Sequence, residues 1–401
     1  MQGLSTTERT AIERIDAARM HERVTAWSAV NSGTRNLPGV ARMAALLADA
    51  FAVLPGAVAL IDPAPAESVA ADGSVAALDH GRHLSVTVRP DAPVQLLLTG
   101  HMDTVYPADH PFQALAWRDD GTLNGPGVAD MKGGLALMLE ALLAVEATGA
   151  PHLGYRVIVN SDEETGSFSS AALLAQAARG KAAALTYEPA LPDGTLAGAR
   201  GGTGNFSILV RGRAAHAGRN PEDGRNAVVA AADVALALHA ARMPGLAVNP
   251  ARIEGGGPNN VVPDLAVLRV NFRPKDAAAI AHARRAIDDA VAHAAVRHDV
   301  RIEVHGGFNR PPKPIDAAAA RLFALVKESG AALGQPIAWR DTGGVCDGNN
   351  IAAAGVPMVD TMGARGGAIH SADEFLILDS LAERAALSAV TILRLADGAL
   401  A

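Results

Sequence analysis

The chain of 401 residues contains a single cysteine, Cys346. No disulfide framework can form within it, and an all-cysteine zinc site is excluded. Any metal it holds must be gripped by histidines and carboxylates. Also missing is an apolar run long enough to cross a bilayer, so no membrane partner is expected. The opening stretch, MQGLSTTERTAIERIDAARM, carries charges at helical spacing and lacks an apolar signal core. It is predicted to form one amphipathic helix rather than an export signal, which makes the cytoplasm the expected address. A basic stripe is absent too. The net charge is −7 with both signs mixed along the chain, which argues against nucleic-acid partners.

What is present suits a globular α/β protein. Hydrophobic residues make up 49% of the chain, too many for a disordered one. Its length exceeds one ordinary core, so two domains are expected. Val94 to Thr99 is a continuous apolar run ending in Gly100, as a strand buried on both faces should be. Tyr155 to Asn160 and Ala182 to Thr186 read the same way, and Leu84 to Arg89 alternates as a strand. Met131 to Thr148 is predicted helical. The pattern changes near Gly194. Strands are expected at Gly204 to Arg211, Val248 to Glu254, Leu265 to Asn271 and Val300 to His305. Helices are expected before Arg242 and over Asp276 to His298. This order is a β-α-β-β-α-β unit. The segment RPPKPID then leads back to α/β character, with helices at Leu322 to Leu333 and Ser380 to Leu395 and a strand at Val356 to Asp360. The expected architecture is α/β: a discontinuous catalytic domain, residues 1–194 and 309–401, with a mixed, mostly parallel sheet flanked by helices. Residues 195–308 form an inserted α+β lid.

Each buried-strand candidate is followed by metal-ligand side chains. His101 and Asp103 follow the first in GHMDT, Glu163 and Glu164 follow the second in NSDEETGS, and Glu188 follows the third in YEPA. Open α/β sheets place ligands at the carboxyl ends of their strands. Asp130 lies in the Gly-rich NGPGVADMKGG, and His370 in AIHSADEF. Alone, HMDT reads as a polar pair on a loop, and SDEETG as a helix N-terminus where acids suit the dipole. Three consecutive acids after an apolar strand, however, call for a cation. His101, Asp130, Glu164, Glu188 and His370 are therefore the expected ligands of two divalent ions that activate a shared water. Asp130 is the bridge, His101 and Glu188 complete one ion, and Glu164 and His370 the other. Glu163 is the expected general base, since adjacent side chains on extended backbone point apart. Asp103 is expected to accept the free N–H of His101 and fix its tautomer.

HMDTV, GVADMKGG, DEETGS, EPA and HSADEF stand in an order and spacing that resemble the M20 family of di-zinc peptidases and deacylases. That family spans carboxypeptidase G-type, acetylornithine deacetylase, succinyl-diaminopimelate deacylase and aminoacylase-1 types. The resemblance implies two zinc ions, with cobalt or manganese as alternatives, a cis peptide after Asp130, and a homodimer formed through the lid. It also implies that His216 in RAAHAG reaches the partner's active site and holds an oxyanion. Asn260 in NNVVP and Arg273 in NFRP would bind a substrate carboxylate, with Arg200 and the Gly343–Gly344 turn as further substrate contacts. Cys346 stands where relatives often carry serine and is read as a small buried thiol. The expected activity is hydrolysis of small peptides or N-acyl amino acids, removing a C-terminal amino acid as a glutamate carboxypeptidase does. An N-acyl-amino-acid deacylase is the alternative, followed by an aminopeptidase or a non-catalytic binding member.

Overall fold

The computed structural model describes residues 3–400. Its centre is a six-stranded mixed sheet in the order Ala57–Ile61, His83–Val88, Leu153–Asn160, Val94–His101, Ala183–Thr186, Met358–Val359. The last four strands run parallel, and the first two pair antiparallel at one edge. Alternate residues of the apolar run feed two cores. Leu96 and Leu98 join Leu135 and Met138 in the larger one, while Leu97 packs with Ile158, Leu174 and Ile351 on the opposite face. Burial on both sides is why this strand reads as unbroken Leu rather than as an alternation. The helices Gly133–Glu146 and Ser380–Ala396 cover the first face together. Gly134 makes that packing close. A Cβ there would stand 2.1 Å from the Tyr187 carbonyl oxygen, so only glycine lets the helix start beside the strand exit that bears Glu188.

Residues 203–310 build a second layer. Its four-stranded antiparallel sheet has the order Leu246–Gly255, Leu265–Pro274, Thr203–Arg211, Arg301–Arg310. The helices Ala227–Ala240 and Ala277–His298 pack on it through a separate core that includes Val234, Leu238, Ile287, Leu268 and Phe272. In chain order this is strand, helix, strand, strand, helix, strand, as predicted.

Two expectations are corrected. The N-terminal stretch is not one helix: Thr6–Ile12 and Ala17–Ser28 are separate. The break falls where the Asp16 N–H turns to the buried Glu140 carboxylate, at 3.0 Å, instead of a helical carbonyl. The Asp16 side chain then caps the second helix through the Arg19 N–H. The last strand of the second layer also runs beyond His305, to Arg310, and this extension brings Arg310 to the candidate site.

Candidate active site

Leu153–Asn160, Val94–His101 and Ala183–Thr186 are neighbours in the sheet, with His101 opposite Asn160. Their carboxyl ends therefore deliver Glu163, Glu164, His101 and Glu188 to one place. Asp130 arrives on the tight turn Val128–Lys132, whose Asp130–Met131 peptide is cis, as the resemblance implies. His370 comes from the loop before Phe375–Ile377 and takes a positive φ of 65°, a left-handed conformation unusual for histidine.

The two oxygens of Asp130 serve different imidazoles. Oδ1 lies 3.0 Å from His101 Nε2, and Oδ2 lies 3.3 Å from His370 Nε2. His101 Nε2 is 3.7 Å from Glu188 Oε2, and His370 Nε2 is 3.2 Å from Glu164 Oε2. The side chains thus fall into two half-sets about one carboxylate. Glu163 joins the first half-set, since its carboxylate approaches the ligand atoms of His101 and Glu188 within 4.8 Å.

Two further expectations are corrected here. Glu163 and Glu164 are not on extended backbone; they occupy a 3-10 turn, Glu163–Thr165. The Asp103 carboxylate explains the curl, accepting the N–H groups of Glu163 and Glu164 at 3.2 Å each. The side chains still diverge, Glu163 toward Arg310 and Glu164 toward His370. The nearest partner of His101 Nδ1 is the Asp103 carbonyl oxygen at 3.0 Å, not its carboxylate, which is 3.5 Å away. Asp103 therefore sets the ring through its backbone and the acidic turn through its side chain. Thr34 Oγ1 also donates to that carboxylate, at 2.6 Å.

The electrostatics follow from crowding buried acids together. Burial, then Asp130, pushes Glu164 up to about 8. Burial likewise holds Glu163 well above the usual carboxylate range, against the pull of Arg310. Glu188 is raised by burial too. For Asp130, burial is outweighed by hydrogen bonds from His101 and His370, and its pKa falls. Hydrogen bonds to Asp130 and Glu164 carry His370 up to about 10. Burial disfavours a charged His101, but Glu188, Asp103 and Asp130 overcome it and hold the ring well above its ordinary range. Glu164 Oε1 is buried with no hydrogen-bond partner among the described residues. Four carboxylates, two imidazoles and an orphaned oxygen fit divalent cations, whose charge would displace the imidazole protons.

The remaining candidates divide. Arg200 and the Gly343–Gly344 turn line the same cavity as Asp130, Glu164, Glu188 and His370, about 590 Å³ in volume. Arg200 is held there by Asp360, at 2.7 and 3.2 Å, and by the Gly344 carbonyl. A neighbouring cavity of about 880 Å³ shares Arg200 and Gly343 and is lined by Arg242, Arg273 and Lys275. Arg273 bonds to Asn271 within its own sheet. His216 and Asn260 line neither cavity. They are exposed and close together: His216 pairs with Val261, and Asn260, in the turn just before it, accepts the Ala217 N–H on its carbonyl. Cys346 is buried, and burial pushes its thiol well up, opposed by Arg200, so it is no thiolate nucleophile. Its sulfur accepts the Gly348 N–H at the start of the helix Asp347–Ala353.

Arg310 was not legible as a site residue. Its Nη2 lies 2.7 Å from Glu163 Oε1, and donates at 2.7 Å to the Glu163 carbonyl and at 2.9 Å to Ser167 Oγ. The only signal available was an arginine at the seam between the two expected domains. Lys132 was missed as well. It is fully buried, its Nζ donates to the Val30 carbonyl at 2.9 Å, and burial brings it down to about 8.

Comparison with known proteins places this arrangement. The model of peptidase family M20/M25/M40 matches residues 97–394. Carboxypeptidase G2 of Pseudomonas sp. (strain RS-16) is 32% identical over 323 residues, covering 76% of this chain and 74% of that protein. A succinyl-diaminopimelate desuccinylase of Verminephrobacter eiseniae is 26% identical over 308 residues, covering 71% of this chain and 75% of that one. Among solved structures, the aminopeptidase PepT of Bacillus cereus superposes with a TM-score of 0.71 at 24% identity, over 96% of this chain and 100% of its own. Fold and site define a metallohydrolase that acts on amide bonds. The chain belongs to peptidase family M20/M25/M40.

Proposed function

We propose that this protein removes the C-terminal amino acid from small peptides or N-acyl amino acids, in the manner of a glutamate carboxypeptidase. The observation that carries this reading is the division of Asp130 between two half-sets, His101 with Glu188 and His370 with Glu164. These five residues would hold two zinc ions, with cobalt or manganese as alternatives. When bound, such ions supply Lewis acidity toward a carbonyl and make water acidic near neutral pH.

Glu163 takes the proton of the attacking water and returns it to the leaving amine. Its raised pKa suits that exchange better than an ordinary carboxylate would. Arg310 fixes its orientation from the end of the second-layer strand. Asp103 keeps His101 turned inward and shapes the turn under Glu163 and Glu164. Arg200 lines the cavity beside Gly343 and Gly344 and offers N–H donors to substrate. Arg273 would receive the free carboxylate, and Asn260, which lies beside the exposed His216, would join it only from a partner chain. Arg242, Arg273 and Lys275, which have no carboxylate partner among the described residues, line the neighbouring cavity beside Asp341 and support this polarity.

Residues 195–308 act as a lid and a dimerisation surface, while 1–194 and 309–401 carry the metals. The exposed His216 serves the partner's site, donating to the developing oxyanion. The likeness to carboxypeptidase G2 supports the carboxypeptidase reading. The desuccinylase relative favours a second reading, deacylation of N-acyl amino acids. A panel of N-acyl amino acids, dipeptides and N-free peptides, with products read by mass, separates the two and also the aminopeptidase alternative. Glu163→Ala tests catalysis itself. Turnover is expected to disappear while metal content stays intact, and unchanged turnover removes the general-base assignment.

A further inference from the structure

Glu374 lies four residues beyond His370 and is buried, with 1% of its surface exposed. Its carboxylate is fully engaged. Oε1 accepts the N–H of Ala129 at 3.0 Å and of Asp130 at 3.1 Å. Oε2 accepts the N–H of Gly127 at 3.1 Å and the hydroxyl of Tyr106 at 2.8 Å. Its backbone is tied to the same region: the Glu374 carbonyl receives Asn124 Nδ2 at 2.7 Å and the Gly125 N–H at 3.3 Å. Tyr106, five residues after His101, also lies 2.8 Å from the Ser371 carbonyl, so its one hydroxyl proton is shared between the two acceptors. One buried side chain therefore joins the turn bearing Asp130, the loop bearing His370 and the segment that follows His101.

With both oxygens occupied by donors, Glu374 has no lone pair aimed at the cluster, so it is not itself a ligand. A carboxylate is suited to this place for a physical reason. Three N–H groups of one tight turn converge on it, and only an acceptor-only group can receive them all. Glutamine cannot. In either orientation its NH₂ faces at least one of those backbone N–H groups. Nor is the arrangement explained by helix capping, because Asp130 and Met131 have non-helical backbone angles.

We infer that Glu374 is a positioning residue for metal binding: it fixes the Asp130 turn against the His370 loop, so that the two Asp130 oxygens face the two imidazoles. The inference rests on the reading of Asp130, His101 and His370 as ligands, and it concerns assembly of the site rather than proton transfer. Residues that orient metal ligands commonly change affinity by about 10–100-fold when replaced.

The test compares zinc binding by wild type, Glu374→Gln and Tyr106→Phe through competition with a chromophoric chelator, alongside thermal unfolding and kcat at limiting and saturating zinc. Glu374→Gln is expected to unfold cooperatively, to lose about 10–100-fold in zinc affinity, and to recover part of its kcat in excess zinc. A merely structural residue would lower the unfolding temperature and leave zinc affinity alone. A folded Glu374→Gln with zinc affinity within about twofold of wild type, below that range, overturns the inference. Should Glu374→Gln fail to fold, Tyr106→Phe decides. A several-fold loss of zinc affinity supports the inference, and unchanged affinity overturns it. Wild type that binds zinc yet hydrolyses no amide would defeat the proposed function while leaving this affinity comparison intact.

Discussion

Arg310 Nη2 stands 2.7 Å from Glu163 Oε1, although the two residues belong to different sheet layers. The same nitrogen also donates to the Glu163 carbonyl, so the arginine fixes both ends of that residue. Arg310 is the main influence holding Glu163 down against burial. Replacing it with Met removes that influence, and the Glu163 pKa rises further. The acid limb of the kcat/KM profile should move to higher pH, with a loss of about 10²-fold near neutrality, the scale of a missing general base. A pH–rate profile of Arg310→Met checks this; an unmoved acid limb contradicts it.

Arg200 and Lys313 share one buried acid, Asp360, at 2.7 and 3.1 Å. Burial opposes the charged Asp360, but Arg200 and Lys313 outweigh it and lower its pKa. Asp360→Asn leaves two buried cations without a counter-charge and should destabilise the fold by about 3–5 kcal/mol. The sign with pH follows from the lowered value. The advantage of wild type is complete above the unfolded pKa of about 3.9 and disappears as pH falls through the lower folded one. Denaturant unfolding of both proteins across that range measures it.

The exposed His216 yields a complementation test. His216→Ala should lower kcat by about 10²–10³-fold, the scale of one lost oxyanion donor. Glu163→Ala should be inactive as well. Mixing the two chains and allowing exchange should restore activity, because one site of the heterodimer then has both its own Glu163 and a partner's His216. Failure of the mixture, or full activity in a strictly monomeric enzyme, removes His216 from the reaction.

Stripping divalent ions should abolish turnover and lower stability. Cations that bind only the folded cluster stabilise it by about 2.7 kcal/mol at a hundred times their dissociation constant. Unfolding followed with chelator and then with added zinc should show that rise. No change in midpoint would mean that the acid cluster holds no ion.

Much of this could be read along the chain because burial leaves a simple mark. Strands covered on both faces become apolar runs, and the imidazole and carboxylates at their ends then stand out: His101, Glu164 and Glu188 are found this way. The element order of the second layer was equally legible from alternating and helical periods. Arg310 was not, since its partner lies 147 residues earlier and nothing local requires an arginine there. Glu374 escaped for a different reason. Its partners are mostly backbone N–H groups, which every residue but proline has, so no pairing pattern exists to be seen. The curl at Glu163 and Glu164 depends on Asp103, and the break near Asp16 on the distant Glu140. Both are tertiary contacts overriding local expectation.

The most direct test is anomalous X-ray scattering from crystals grown with ample zinc. Two peaks should flank Asp130, about 3.5–4 Å apart, one beside His101 and Glu188, the other beside His370 and Glu164. Density elsewhere, or none at this carboxylate, would contradict the account at its root.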